Sequence, residues 1–259
     1  MTEESQLEYE DEQDDEQRTQ RPAAVQDTGS DLPFKQGAVF GAIAAIATYF
    51  AHLLATLVAT AQTTPTTYTD DGSVVVTDMV ASWEAAGWSY LAAFGTGFEA
   101  DGEPATLGDA PNHAAAAASP PFFLVDTALF VLTLGLVVAA GYAIANYTDA
   151  DDAVEAVKAS VTVVPAYLVI AAVVAFLMTN TYSDPELVGS LIDSAGTLEA
   201  EPYLNDEMEI TGSVEFAPTT SGAILFAGIL VPAVLAAIGG VLTQRRDALA
   251  TLMAQVEDR

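Results

Sequence analysis

The sequence contains no cysteine. That excludes disulfides, thiolate catalysis, iron–sulfur clusters and Cys-ligated zinc. Basic residues are nearly as scarce: 7 Lys and Arg stand against 36 Asp and Glu in 259 residues, a net charge of −29. Nucleic-acid binding needs a basic footprint, so a nucleic-acid partner is excluded. Histidine occurs twice, as His52 and His113, which leaves little for metal ligation or acid–base chemistry. No GxSxG, P-loop or HExxH occurs, and Asp70-Asp71-Gly72 lacks the spaced ligands and closing Glu of a calcium loop. The expectation is no enzyme, no metal and no cofactor.

What is present is bimodal. Hydrophobic residues make up 51% of the chain, and its mean hydropathy is +0.34 despite the acid excess. Greasy and acidic stretches must therefore alternate. A helix needs about 20 apolar residues to cross a hydrocarbon core of about 30 Å. Four stretches qualify, at 34–61, 122–147, 161–179 and 222–243, and beyond Lys35 at the opening of the first none carries Lys or Arg. The leader 2–20 is acidic rather than basic, so the first span reads as an uncleaved anchor.

Orientation follows from the basic residues. Arg18, Arg21 and Lys35 precede span one, Lys158 lies between spans two and three, and Arg245, Arg246 and Arg259 follow span four. The segments 62–121 and 180–221 have none. Both termini and the 148–160 loop are therefore expected in the cytoplasm of a multi-pass cell-membrane protein, with the two long segments outside. The sequon Asn146-Tyr147-Thr148 falls at a cytoplasmic end, out of reach of glycosylation, which agrees. The expected fold is an all-α membrane bundle of four transmembrane helices with a small α+β extracellular cap. An acidic cytoplasmic tail, 1–33, is too poor in apolar residues to order. A second tail, 244–259, closes the chain.

The acid excess, only two lysines, abundant Ala, Val and Thr, and the lack of Cys together form a salt-adapted composition. At about 1 M salt the screening length is about 3 Å, so such self-repulsion is tolerated. Most carboxylates here serve solvation.

The outward segments carry local signals. Ser73–Val76 suggests a strand. After Asp78, a plausible N-cap, Met79, Trp83, Tyr90, Phe94 and Phe98 fall on one helical face. Trp83, Trp88 and Tyr90 are residue types of a membrane–water boundary, so this helix either lies at the interface or forms the core of the cap. Residues 99–121 read as a flexible linker. Ser183-Asp184-Pro185-Glu186 opens a helix with apolar Leu187, Val188, Leu191 and Ile192, stopped by Gly196. Met208–Ile210 and Val214–Phe216 alternate around Gly212-Ser213, a hairpin signal. Thr67-Tyr68-Thr69-Asp70 and Thr181-Tyr182-Ser183-Asp184 echo one another after spans one and three.

Ionisable groups inside a membrane are the default functional candidates. His52 in the outer half of span one and Asp126 one turn into span two are a candidate polar site, competing with a purely structural role for each. Pro165 and Pro232 are expected to break the helical ladders of spans three and four. Gly37-xxx-Gly41, and Gly135 with Ala139, are small-residue packing faces.

Lys35-Gln36-Gly37-Ala38 opening span one, and Trp83-Glu84-Ala85-Ala86-Gly87-Trp88-Ser89-Tyr90 with Phe94 outside, resemble haloarchaeal multispanning membrane proteins of unknown function. The resemblance implies a salt-adapted archaeal cell membrane and carries no activity, cofactor or catalytic residue. The expected role is a non-catalytic assembly or interaction protein, with membrane lipid and a homo-oligomeric or membrane-protein partner. The alternative is a small oligomeric ion or solute transporter or channel using His52, Asp126, Pro165 and Pro232.

Overall fold

The computed structural model describes residues 32–62, 66–68, 74–76, 79–114 and 123–257. The acidic tail as far as residue 31, the Asp78 cap and the end of the expected linker, 115–122, lie outside the described residues. Four helices are long and apolar enough to cross a membrane: Phe34–Thr60, Leu124–Tyr147, Ala153–Leu177 and Thr220–Gln244.

Helix α1, Phe34–Thr60, shows how the bundle is built. Every one of its buried positions is small or polar: Gly37, Gly41, Ala44, Ala45, Thr48, His52, Thr56 and Ala59. Of its large apolar side chains, Val39, Ile43, Phe50 and Leu54 are more than half exposed. A helix in water does the opposite. Small residues inside and branched apolar residues outside are the pattern of helices packed in an apolar solvent.

The second long helix is α3, Phe123–Tyr147. The third has three parts: α4, Ala153–Ser160, a 3₁₀ turn at Val161–Val163, and α5, Val164–Leu177. It starts at Ala153, well before the expected 161, so most of the expected 148–160 loop is helical. Asp152 starts it, its side chain accepting from the Val154 and Glu155 N–H groups. The charges around this cap ended the apolar run in the sequence without ending the helix. The ladder of the third long helix is interrupted, as expected of Pro165, by the 3₁₀ turn directly before it, and the proline itself sits in the first turn of α5, where a missing N–H leaves no bond unmade.

The fourth long helix opens with a turn at Thr220–Gly222, widens to a π-helix over Ala223–Leu230 and continues as α7, Val231–Glu257. Pro232 is the reason for the widening. An α-helical turn would drive its ring against the Gly228 carbonyl. Here Val231 N–H reaches back five residues to the Phe226 carbonyl, and the expected break becomes a π-segment. Helix α7 also occupies most of the expected 244–259 tail.

Side by side the helices close a ring in the order α1, α3, α7, α5. Glycines set the closest approaches. A Cβ on Gly37 or Gly41 would overlap Thr162 or the Val163 carbonyl, so the expected Gly37-xxx-Gly41 face packs on the 3₁₀ turn. Gly141 meets Ala236, Gly239 meets Val138 and Tyr142, and Gly240 meets Ala156 and Ser160. The Ser160 hydroxyl shares its one proton between the Ala156 carbonyl of its own helix at 2.6 Å and the Gly141 carbonyl of α3 at 2.9 Å, adding a polar tie between α4 and α3.

At one end of the ring the two long connections form a shared cap. Strands β3 (Phe98–Ala100), β4 (Glu103–Ala105), β5 (Asn180–Tyr182) and β6 (Val214–Pro218) make an antiparallel sheet in the order β4-β3-β6-β5. Two of these strands lie in the expected 99–121 linker: Asp101 and Gly102, both at positive φ, turn β3 into β4. Residues 208–210 do not form a hairpin with β6, because β3 and β5 take both edges of β6. Helix α6, Pro185–Ala195, is capped by the Asp184 carboxylate and ended by Gly196 at φ +63, and buries Leu187, Val188 and Leu191. Of the echoed segments, β1 (Thr66–Tyr68) pairs with β2 (Val74–Val76) in a separate hairpin, whereas β5 joins the four-stranded sheet. The two copies thus have different topologies.

Candidate functional site

Helix α2, Ser82–Ala92, is the element that places polar groups inside the ring. Its start is tied to the cap end of α1, where the Ser82 hydroxyl donates to Thr60 Oγ1 at 3.2 Å. Further along, Ser89 reaches His52, eight residues deeper on α1 or about 12 Å at 1.5 Å per residue. Helix α2 therefore runs antiparallel to α1 into the bundle, burying Ala85 to Leu91 without interruption. It turns at Gly95, at φ +83, with the Ala93, Phe94, Gly95 and Thr96 N–H groups all bonded to carbonyls of α2. The chain then climbs back to β3, where Thr219 N–H donates to the Gly97 carbonyl. The expected helical face through Phe98 ends instead at Ala92, because Phe94 and Phe98 belong to this turn and to β3.

His52, 1% exposed, is the polar centre. Thr133 spends its single hydroxyl proton on the Leu129 carbonyl at 2.7 Å, so its oxygen accepts from His52 Nε2–H at 2.9 Å. Nδ1 then accepts from the Ser89 hydroxyl at 2.8 Å. Thr133 thus fixes the tautomer, a neutral ring with its proton on Nε2. The imidazole joins α1, α2 and α3 with no hydrogen-bonding capacity left over.

Asp126 is not its partner. It is exposed in the first turn of α3, seven residues or about 10 Å along the helix from Thr133. Pro165 and Pro232 stand in other helices, so the expected polar set is not one cluster. Ser89 and Thr133, which complete the arrangement, were not singled out in the sequence. The available signal was a hydroxyl in each case, one inside the Trp88-Ser89-Tyr90 triplet and one within an otherwise apolar span.

The three boundary aromatics divide. Trp83 is 45% exposed, with its carbonyl accepting from the Tyr49 hydroxyl at 3.2 Å. Trp88 and Tyr90 are fully buried. Trp88 donates from Nε1 to the Met178 carbonyl at 2.7 Å, and its ring lies 5.0 Å from Phe216 and 6.0 Å from His113. The aromatics thus join α2 to the sheet. Among the described residues no three His, Asp or Glu side chains form a metal-holding group.

His113 is a pH-sensitive element of the cap. Burial lowers its pKa from the ordinary 6.5 to about 4, against the opposing effect of a hydrogen bond with the Leu107 backbone. A histidine held neutral in the fold stabilises it fully above pH 6.5, and that contribution is lost as the pH falls towards 4. The expected loss is roughly 3 kcal/mol, at about 1.4 kcal/mol per pKa unit. Thermal denaturation between pH 7 and 4 checks this. The wild-type melting temperature should fall, and His113→Gln should flatten the dependence.

A family model described as a family of unknown function (DUF7978) matches residues 16–247. No curated protein and no solved structure matches the chain.

Proposed function

Since the chain belongs to DUF7978, a family whose description names no activity, we propose its role from its own geometry: a non-catalytic assembly protein of a salt-adapted archaeal cell membrane. Both termini lie in the cytoplasm in this reading, and the acidic cap faces outward. The observation that carries it is the outward face of α3. Ala128, Leu132, Gly135 and Ala139 recur on that face and all are exposed. A Cβ on Gly135 would meet nothing within 4 Å, whereas Gly141, one and a half turns along, is packed hard against α7. Apolar helices gain little by burying apolar surface from lipid, and associate instead where small residues let backbones approach. The expected packing face at Gly135 and Ala139 is thus open at its middle, and a second copy of α3 or a partner's helix fits it.

Cysteine chemistry tests this cleanly, because the native chain has none. Gly135→Cys is expected to give a disulfide-linked dimer in native membranes under mild oxidation, while a cysteine at packed Ala236 is not. In intact cells, Glu207→Cys, on the exposed cap, should react with an impermeant thiol reagent. Absence of cross-linking at Gly135 removes the self-association reading, and an unreactive Glu207→Cys reverses the orientation.

The re-entrant course of α2 favours a second reading, a small ion or solute conductor. Broken or re-entrant segments occur at membrane depth where they line a pathway or are enclosed by protein. The full hydrogen bonding of His52 and of the backbone N–H groups of the Gly95 turn supports the enclosed alternative.

A further inference from the structure

Three buried side-chain oxygens among the described residues have no hydrogen-bonding partner: Tyr90 Oη, Thr96 Oγ1 and Tyr167 Oη. All belong to one region, the turn that ends α2 and the face of α5 it rests on. Both tyrosine rings are fully buried, and each packs against Phe94, at 5.2 Å for Tyr90 and 6.1 Å for Tyr167.

A buried phenol without a partner is a costly group, and native proteins pair such groups with protein or with ordered water. Two in one place are not an accident of packing. Phenylalanine would fill the same volume without the penalty, so each hydroxyl calls for a partner. The surroundings define its size and chemistry. Tyr49 and His52 stand edge-on to Tyr90 at 6.5 and 6.1 Å, so rings of the protein itself fill the neighbourhood. His52 has spent both nitrogens on Ser89 and Thr133. A ligand there finds two hydroxyls and apolar ring surface, with no carboxylate to neutralise a cation. A water molecule suits this: it needs two to four polar partners and can donate to one phenol while accepting from the other.

We propose that Tyr90 and Tyr167 form a binding site for one internal water, which bridges the tip of α2 to α5. The site is independent of the α3 face and of any self-association. It gives the inner tip of α2 a polar tie to α5, beyond the Trp88–Met178 bond at the cap end of that helix, and complements the tie His52 makes to α1 and α3.

Radiolytic hydroxyl-radical footprinting of the intact protein in detergent at high salt reads such a site, because radicals form from water bound beside a side chain. Tyr90 and Tyr167 should be modified several-fold faster, after correction for intrinsic reactivity, than the equally buried Trp88 and Phe216. In Tyr90→Phe, modification of Tyr167 should fall towards the Phe216 level, and the reverse should hold in Tyr167→Phe. Wild-type rates no higher than those of Trp88 and Phe216 overturn the site, whether or not the variants fold. Independent rates in the two single variants overturn the bridge. Protection of both tyrosines that grows with Na⁺ or K⁺ concentration at fixed ionic strength replaces water with a cation and also overturns the proposal.

Discussion

Gly239→Leu is expected to lower the melting temperature and the folded yield more than any other single glycine substitution. Even one added carbon at Gly239 overlaps the Val138 carbonyl and lies 2.8 Å from the Tyr142 nitrogen, both of them backbone atoms of α3 that cannot rotate away. The adjacent Gly240 holds α4 equally close, so α7 cannot retreat from one neighbour without losing the other. Overpacking a well-ordered core costs about 1–3 kcal/mol where side chains can shift. Here only a helix can shift, so the cost is expected at or above about 3 kcal/mol, a large part of a marginal stability. The measurement is monodisperse yield and melting temperature in detergent. Gly135→Leu is the internal control: with nothing within 4 Å, it should melt as the wild type does while losing the Gly135-dependent dimer.

Replacing His52 by alanine should be the most damaging polar substitution. It opens a cavity at a fully packed position and strips the Ser89 hydroxyl of its partner at a depth water does not reach. A cavity of this kind costs about 2–5 kcal/mol, and an orphaned buried hydroxyl about 1–3 kcal/mol more. Thr133 suffers less, since its proton stays on the Leu129 carbonyl. The expected result is a large drop in melting temperature with early proteolysis around α2, partly rescued by His52→Gln, whose amide retains a donor and an acceptor. In liposomes the wild type is expected to pass protons and cations no faster than lipid alone. A wild-type flux lost in His52→Gln but kept in Asp126→Asn would instead make the imidazole part of a conduction path.

How far the sequence revealed this architecture depended on the kind of signal. Hydropathy located all four long helices because it sums over twenty residues and survives one polar intruder. It misplaced the start of the third, since Asp152 reads as the end of an apolar run and acts as a helix cap. Gly37-xxx-Gly41 was legible as a packing face, but the same pattern at Gly135 points outward. Spacing tells which residues share a face and not which neighbour that face meets. The α6 boundaries were written in local chemistry, from Asp184-Pro185 to Gly196. The β3–β4 hairpin was too, in Asp101-Gly102, but three-residue strands give no periodicity to support the turn. Trp88 and Tyr90 carried boundary chemistry and are buried because tertiary contacts to Met178, Phe216 and Phe94 override it. The His52 triad joins residues 37 and 81 positions apart, which no local pattern encodes.

The place of β6 between β3 and β5 has a consequence for how the chain is made. During synthesis the β3–β4 hairpin leaves the ribosome more than a hundred residues before its central neighbour exists. At about 5–20 residues per second that is a wait on the order of 5–20 s. Throughout it, the free edge of β3 offers unpaired amides to any passing extended segment. The last strand translated before the fourth long helix closes that edge. A nascent chain stalled short of Val214 is therefore the form most exposed to misassociation and to quality-control proteases.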